Sequence, residues 1–150
     1  MKNDQKFFIV PGSPKEFIAA ERLEAIKNAF PEAHCAIKCT TAEFSAVCPK
    51  SGMPDIYTLQ IEYVPDQFIV ELKSLKMYLH CFRLIGMFVE NIANKIADDF
   101  YEIVKPEFLK ISITQAVRGG ILTEVETHRG SYGDNPPPKK SDKFETMDSE

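Results

Sequence analysis

Tyr57-Thr58-Leu59-Gln60-Ile61-Glu62-Tyr63-Val64 sets apolar Leu59, Ile61 and Tyr63 against polar Thr58, Gln60 and Glu62. A period of two predicts a half-buried strand with one face on a core and the other toward water. Ala36 to Val47 reads the same way, and the two strands are expected to run antiparallel. Between them, Cys48-Pro49-Lys50-Ser51-Gly52-Met53-Pro54-Asp55 holds two prolines and a glycine in eight residues, which calls for an ordered turn. Upstream, Ser13-Pro14-Lys15-Glu16 has the capping-box arrangement, and Phe17, Ala20, Leu23, Ile26 and Phe30 continue a helical stripe that Pro31 stops. Downstream of Pro65-Asp66, apolar positions from Leu72 to Val104 keep a helical period with Gly86 inside it, and Lys105-Pro106 terminates it. Ile111 to Val125, split by Arg118-Gly119-Gly120, reads as a closing hairpin. The predicted order is helix, two strands, one long helix, two strands, an α+β pattern.

At 150 residues the chain fits one domain, expected over residues 1–135 with an N-terminal helix, followed by a mobile Pro-rich and charged tail over 136–150. A hydrophobic share of 44% and a charged share of 27% are those of an ordinary globular protein. No apolar run approaches the roughly 20 residues of a spanning helix, and Met1 to Lys6 lacks the apolar core of a secretory signal, so a cytoplasmic protein without membrane partners is expected. A net charge of −4 argues against direct nucleic-acid binding and favours a small-molecule partner. Cys35, Cys39, Cys48 and Cys81 show no CxxC spacing, and no zinc pattern, phosphate loop or dinucleotide fingerprint occurs; no metal is expected.

Cys48 and Asp55 bracket the Pro-Gly-Pro loop, so a thiol and a carboxyl can face one pocket. Thiolate is the reactive form of cysteine, and a cation such as Lys50 would favour it. A nucleophile beside a proton donor suits addition to an electrophilic carbon. On residue types alone the plainer reading, a small buried hydrophobe and a turn-capping carboxylate, carries more weight. Lys73 and Lys76 share a helix face that could meet phosphates or simply be solvated. Glu71 and Glu90 would ordinarily be surface carboxylates, although Glu90 is flanked by Phe88, Val89 and Ile92, where an unpaired charge is costly. His34, His80 and His128 are isolated and read as local structural groups.

Three motifs make the chain resemble the nitrile reductases that convert 7-cyano-7-deazaguanine to 7-aminomethyl-7-deazaguanine in queuosine biosynthesis, a tRNA-modification pathway. Phe44 to Asp55 resembles the family's nucleophile loop, Val70-Glu71-Leu72-Lys73-Ser74-Leu75-Lys76 its substrate and cofactor segment, and Arg118-Gly119-Gly120-Ile121 its glycine hairpin. Phe82-Arg83-Leu84-Ile85-Gly86-Met87-Phe88-Val89-Glu90 stands where the family has Phe-Arg-Asn-His-Gly-x-Phe-His-Glu, so Leu84, Ile85 and Val89 replace Asn and two His while Glu90 is retained.

The resemblance implies a tunnelling fold, an antiparallel four-stranded sheet with two helices on one face, assembled into a homo-oligomeric ring as a pentamer or decamer with sites between subunits. It implies NADPH-dependent nitrile reduction in which Cys48 adds to the nitrile carbon, Asp55 protonates nitrogen and a covalent thioimide forms. Val70, Glu71, Leu72, Val89 and Glu90 would contact the base, and Lys73, Ser74 and Lys76 the NADPH. An amidine-forming relative using the same thioimide is one alternative, and a non-catalytic deazapurine- or pterin-binding protein of the same fold is the other. Retention of Cys48 and Asp55 argues against the second, and the Lys73 to Lys76 segment against the first.

Overall fold

The computed structural model describes residues 8–9 and 20–131. Three strands precede the alternating segment, β1 (Phe8–Ile9), β2 (Ala25–Lys27) and β3 (Ile37–Val47); β4 (Pro54–Val64) contains it, and β5 (Phe68–Val70) follows. Helix α1 (Leu72–His80), β6 (Ile85–Gly86), helix α2 (Val89–Val104), β7 (Phe108–Arg118) and β8 (Ile121–Gly130) complete the chain. One sheet has the order β1-β6-β3-β4-β7-β8, and β2 and β5 form a separate antiparallel pair. The four long strands are antiparallel neighbours, as expected, but two-residue strands extend the sheet, and β6 meets β3 in parallel at Val47 and Gly86. The sheet is therefore mixed and six-stranded, and the fold is α+β with two α-helices among the described residues.

Alternation in β4 does what its period dictates. Tyr57, Leu59, Ile61 and Tyr63 are buried, join Leu109, Ile111 and Ile113 of β7, and pack beneath Ile92, Ala93, Ile96 and Phe100 of α2. Tyr63 and Phe100 meet edge to face with centroids 4.9 Å apart. The two helices are tied by the Tyr78 hydroxyl, which donates to Asp99 Oδ2 at 2.6 Å while Lys95 Nζ lies 2.8 Å from the same oxygen. That buried carboxylate is thus satisfied from both helices.

Two expected helices are corrected. The stripe read as one helix over residues 13–30 falls partly outside the described residues; within them, Ala20–Arg22 is a 3-10 turn and Ala25–Lys27 pairs with Phe68–Val70. Backbone bonds from Asn28 N to Gln67 O and from Glu71 N to Glu24 O, each 2.8 Å, outcompete the local helical ladder. The long helix is two. A 3-10 turn over Cys81–Leu84 and extended Ile85–Gly86 separate α1 from α2, and Met87 N donates to Val47 O at 3.2 Å. Ile85, Gly86 and Met87 are buried in succession, which no helical face allows but a chain inserted beside β3 does. The expected end of the domain at 135 and the tail over 136–150 lie outside the described residues.

Gly130 closes β8 at φ 72°, and a Cβ there would collide with the Glu107 carbonyl oxygen. Gly119, in the β7–β8 turn at φ 58°, opens to free space. Gly130→Ala should cost about 2–4 kcal/mol of unfolding free energy from combined strain and overlap, and Gly119→Ala about 1 kcal/mol. Urea denaturation of both variants checks the difference.

Candidate active site

The β3–β4 hairpin closes at Val47 opposite Pro54, with Ala46 opposite Asp55. Pro54 opens its strand, where a missing N–H is tolerated. Across the loop, Cys48 N donates to Met53 O (2.8 Å), Gly52 N to Cys48 O (2.9 Å), and Met53 N to the Ser51 hydroxyl (3.2 Å). The Cys48 thiol is half-exposed at the mouth of this loop. Hydrogen bonds from the Ser51 side chain, then from the Ser51 and Lys50 backbone, hold it below the ordinary thiol pKa; slight desolvation and the Asp55 charge oppose them. Lys50 therefore acts through its backbone and not through the ammonium that the sequence suggested.

Asp55 sits on the core-facing parity of β4 and is buried. The Tyr57 hydroxyl, two residues along the same face, donates to its Oδ2 at 3.3 Å. Arg118 Nη1 reaches across from the end of β7 to within 2.6 Å of Oδ1, and Nη2 donates to Pro54 O at 3.4 Å. Oδ1 has no hydrogen-bond partner among the described residues, so the Arg118 contact is an ion pair without hydrogen-bond geometry. Burial first, and then the Asp55 charge, push the Tyr57 hydroxyl well above its usual range. Tyr57 and Arg118 were not expected as site residues. Tyr57 was legible from the period of two; Arg118 lies 63 positions from Asp55 with nothing local to link them.

The second group of expected site residues gathers around the start of α1. Glu71 caps this helix: Oε1 accepts from Lys73 N (2.8 Å) and Oε2 from Ser74 N (2.6 Å). Those two amides hold its carboxyl below the usual carboxylate range. Ser74 Oγ donates to Glu71 O at 2.7 Å and accepts from Glu24 N at 2.9 Å, so its hydroxyl fixes the turn. Val70 is buried and its N–H donates to the Tyr63 hydroxyl at 3.1 Å. Leu72, Lys73 and Lys76 are exposed, and neither lysine makes an ion pair among the described residues. Between α1 and β3 runs a groove of about 260 Å³, lined by Cys39, Leu72, Leu75, Lys76, His80 and Arg83 among others.

Val89 and Glu90 part company. Val89 is buried in the core, whereas Glu90 is exposed in the first turn of α2, where the positive end of the helix dipole favours an acid. The costly apolar flank expected for Glu90 is absent, because one step of 100° around a helix turns it outward while Val89 points in. The start of α2 follows the strand that Val47 holds, so Glu90 belongs to the Cys48–Asp55 end of the molecule. Glu71 belongs to the other end, beside Val70 and Tyr63. Eight residue steps of β4 separate Asp55 from Tyr63, about 26 Å of strand. One chain thus brings Cys48, Asp55 and the start of α2 to one end, and Val70 to Lys76 to the other.

Residues 54–133 match the family described as QueF-like protein. A NADPH-dependent 7-cyano-7-deazaguanine reductase of Nitrosococcus oceani is 44% identical over 115 residues, 77% of this chain and 89% of that protein. The protein of the same name from Chloroherpeton thalassium is 46% identical over 105 residues (70% and 90%), and that from Caldicellulosiruptor bescii 42% over 124 residues (83% and 93%). The crystal structure of the archaeosine synthase QueF-Like in the apo form superposes with a TM-score of 0.60 at 20% identity, covering 65% of this chain and 96% of that one. At that identity the likeness is one of fold.

The loop's hydrogen bonds set a measurable property of the thiol. Ser51→Ala removes a donor that favours thiolate, so the midpoint of Cys48 alkylation by iodoacetamide should move to higher pH. At pH 7 the thiolate fraction and the alkylation rate should fall several-fold, read against a Cys48→Ala blank that removes labelling of the other cysteines from the count.

Proposed function

Because the chain belongs to the QueF-like protein family, we propose that it is an NADPH-dependent oxidoreductase that reduces the nitrile of 7-cyano-7-deazaguanine to 7-aminomethyl-7-deazaguanine. The observation that carries this reading is the pairing, on one hairpin, of a thiol biased toward thiolate with a buried carboxyl. In the addition step Cys48 Sγ bonds to the nitrile carbon, one C–N π pair moves to nitrogen, and nitrogen takes a proton from Asp55, giving a neutral thioimide. Glu90, exposed at the same end, accepts N–H hydrogen bonds from the ring edge of the base. Val89 supports that turn from the core and offers no donor of its own.

NADPH supplies hydride for the two reductions when bound. Lys73 and Lys76 are exposed cations that suit its phosphates, and Ser74 holds the turn that presents them. Because Val70, Glu71, Leu72 and these lysines lie at the far end of their own chain, the complete site combines them with the Cys48 hairpin of a second copy. Long strand edges left largely unpaired among the described residues support such assembly: β8 ends the sheet order, and on the side away from β4 strand β3 meets only the two-residue β6. The reading is a closed ring of protomers, a pentamer or decamer, acting on a free deazapurine in the queuosine pathway. No helix among the described residues is long and apolar enough to cross a membrane.

The test is steady-state loss of nicotinamide absorbance with 7-cyano-7-deazaguanine and NADPH. Turnover to the amine supports the reductase; covalent addition without NADPH oxidation would instead support the amidine-forming chemistry. Calorimetric titration of the base into Cys48→Ala, with and without Glu90→Gln, should show a loss of about 1.5–3 kcal/mol, typical of a hydrogen bond to a charged group. Equal affinities would remove Glu90 from the site.

A further inference from the structure

We infer that Tyr57 is a positioning residue for the addition step, one that engages Asp55 Oδ2 and so leaves the transferable proton on Oδ1. The inference rests on the reading of Cys48 as nucleophile and Asp55 as proton donor. Its starting point is the asymmetry of the carboxyl group. Oδ2 accepts from the Tyr57 hydroxyl, while Oδ1 is buried, has no hydrogen-bond partner among the described residues and faces the Arg118 guanidinium.

The two partners differ in how firmly they are held. Tyr57 is 2% exposed, its ring packed against Phe44 with centroids 5.9 Å apart and its hydroxyl directed at Asp55. Arg118 is 54% exposed at the end of β7, beside the Gly119-Gly120 turn. The Tyr57 O–H can donate to Oδ2 whether the carboxyl is ionised or protonated, because Oδ2 keeps a lone pair in both forms when the proton is on Oδ1. Arg118 pairs only with the ionised form, since a guanidinium has no acceptor for a carboxylic proton. The Arg118 contact therefore belongs to the ionised form, the form that follows proton donation. Before donation Arg118 must withdraw from Oδ1, and its exposure makes that movement inexpensive. Tyr57 stays throughout and keeps the carboxyl from rotating its proton into the core. Cys48 and Tyr57 both feel the Asp55 charge, which places the three groups in one electrostatic neighbourhood.

In the step itself the Sγ–C bond forms, the π pair moves to nitrogen, the Oδ1–H bond breaks, and its electron pair stays on Asp55. Arg118 then returns to the carboxylate. No oxidant or reductant enters.

The experiment measures single-turnover thioimide formation without NADPH across pH in wild type, Tyr57→Phe and Arg118→Gln. Phe keeps the ring and its packing. Only Tyr57→Phe should lower the maximal rate, by about 10-fold, because only it frees the carboxyl to turn. Affinity for the base, measured in the Cys48→Ala background, should not change. An unaltered maximal rate in Tyr57→Phe, with wild type reacting, overturns the inference. If Tyr57→Phe fails to fold, Arg118→Gln still decides: a drop in maximal rate contradicts a proton on Oδ1. Absence of any adduct in wild type refutes the underlying reading of Cys48 and Asp55 instead.

Discussion

A carboxylate taken out of water has to be met by protein, and in this chain that requirement falls on Asp55. The group is 5% exposed on the helix-covered face of the sheet, and its oxygens are met from different elements: Tyr57 on its own strand and Arg118 at the tip of the last hairpin. An uncompensated buried charge costs several kcal/mol, so these contacts constrain more than one side chain. They pin the β7–β8 turn against the β3–β4 loop and set the environment of the half-exposed thiol on the same loop. The end of the sheet proposed to carry the chemistry is therefore also an end where three long strands are cross-tied.

Everything else in the fold serves to keep that end apart from the other. The buried row of β4, with Phe100 edge to face against Tyr63, fixes the direction of α2 from the thiol end to the Val70 end. The extended Ile85–Gly86 segment beside Val47 delivers the start of α2, and with it Glu90, to the Cys48 hairpin. Glu71 spends both carboxylate oxygens on the amides of α1 and presents Lys73 and Lys76 to solvent about 26 Å of strand away from Asp55. That division is the physical basis of the proposal that the site forms between copies.

What was legible in the sequence follows from range. The alternation in β4, the Pro-Gly-Pro loop and the Gly119-Gly120 turn are local signals, and they put Cys48 and Asp55 on one hairpin correctly. Helical stripes were less faithful. Leu23 and Ile26 fit a helical face equally well as a 3-10 exit and a strand, and only pairing with Phe68–Val70 decides between them. Ile85, Gly86 and Met87 kept the apolar density of a helix while being extended, because a segment wedged beside β3 needs the same residue types. Val89 and Glu90 are neighbours in the sequence, and only the helix decides that one turns inward and the other outward. The Arg118–Asp55 contact had no signal in composition or spacing, since a pair formed by two hairpin ends is a property of sheet order and not of either segment. The three resembling motifs reached the family, which the matches over residues 54–133 and over 105–124 residues of the relatives bear out.

The central claim, that the Cys48 thiol adds to a nitrile with Asp55 supplying the proton, meets its most direct trial in intact-mass spectrometry. The protein is incubated with 7-cyano-7-deazaguanine and no NADPH, beside Cys48→Ala and Asp55→Asn. The account predicts that wild type gains the full mass of one base per chain, that Cys48→Ala gains none, and that Asp55→Asn gains it at a rate lower by about 10²-fold or more, the usual worth of a general acid. Equal mass in wild type and Cys48→Ala would contradict it.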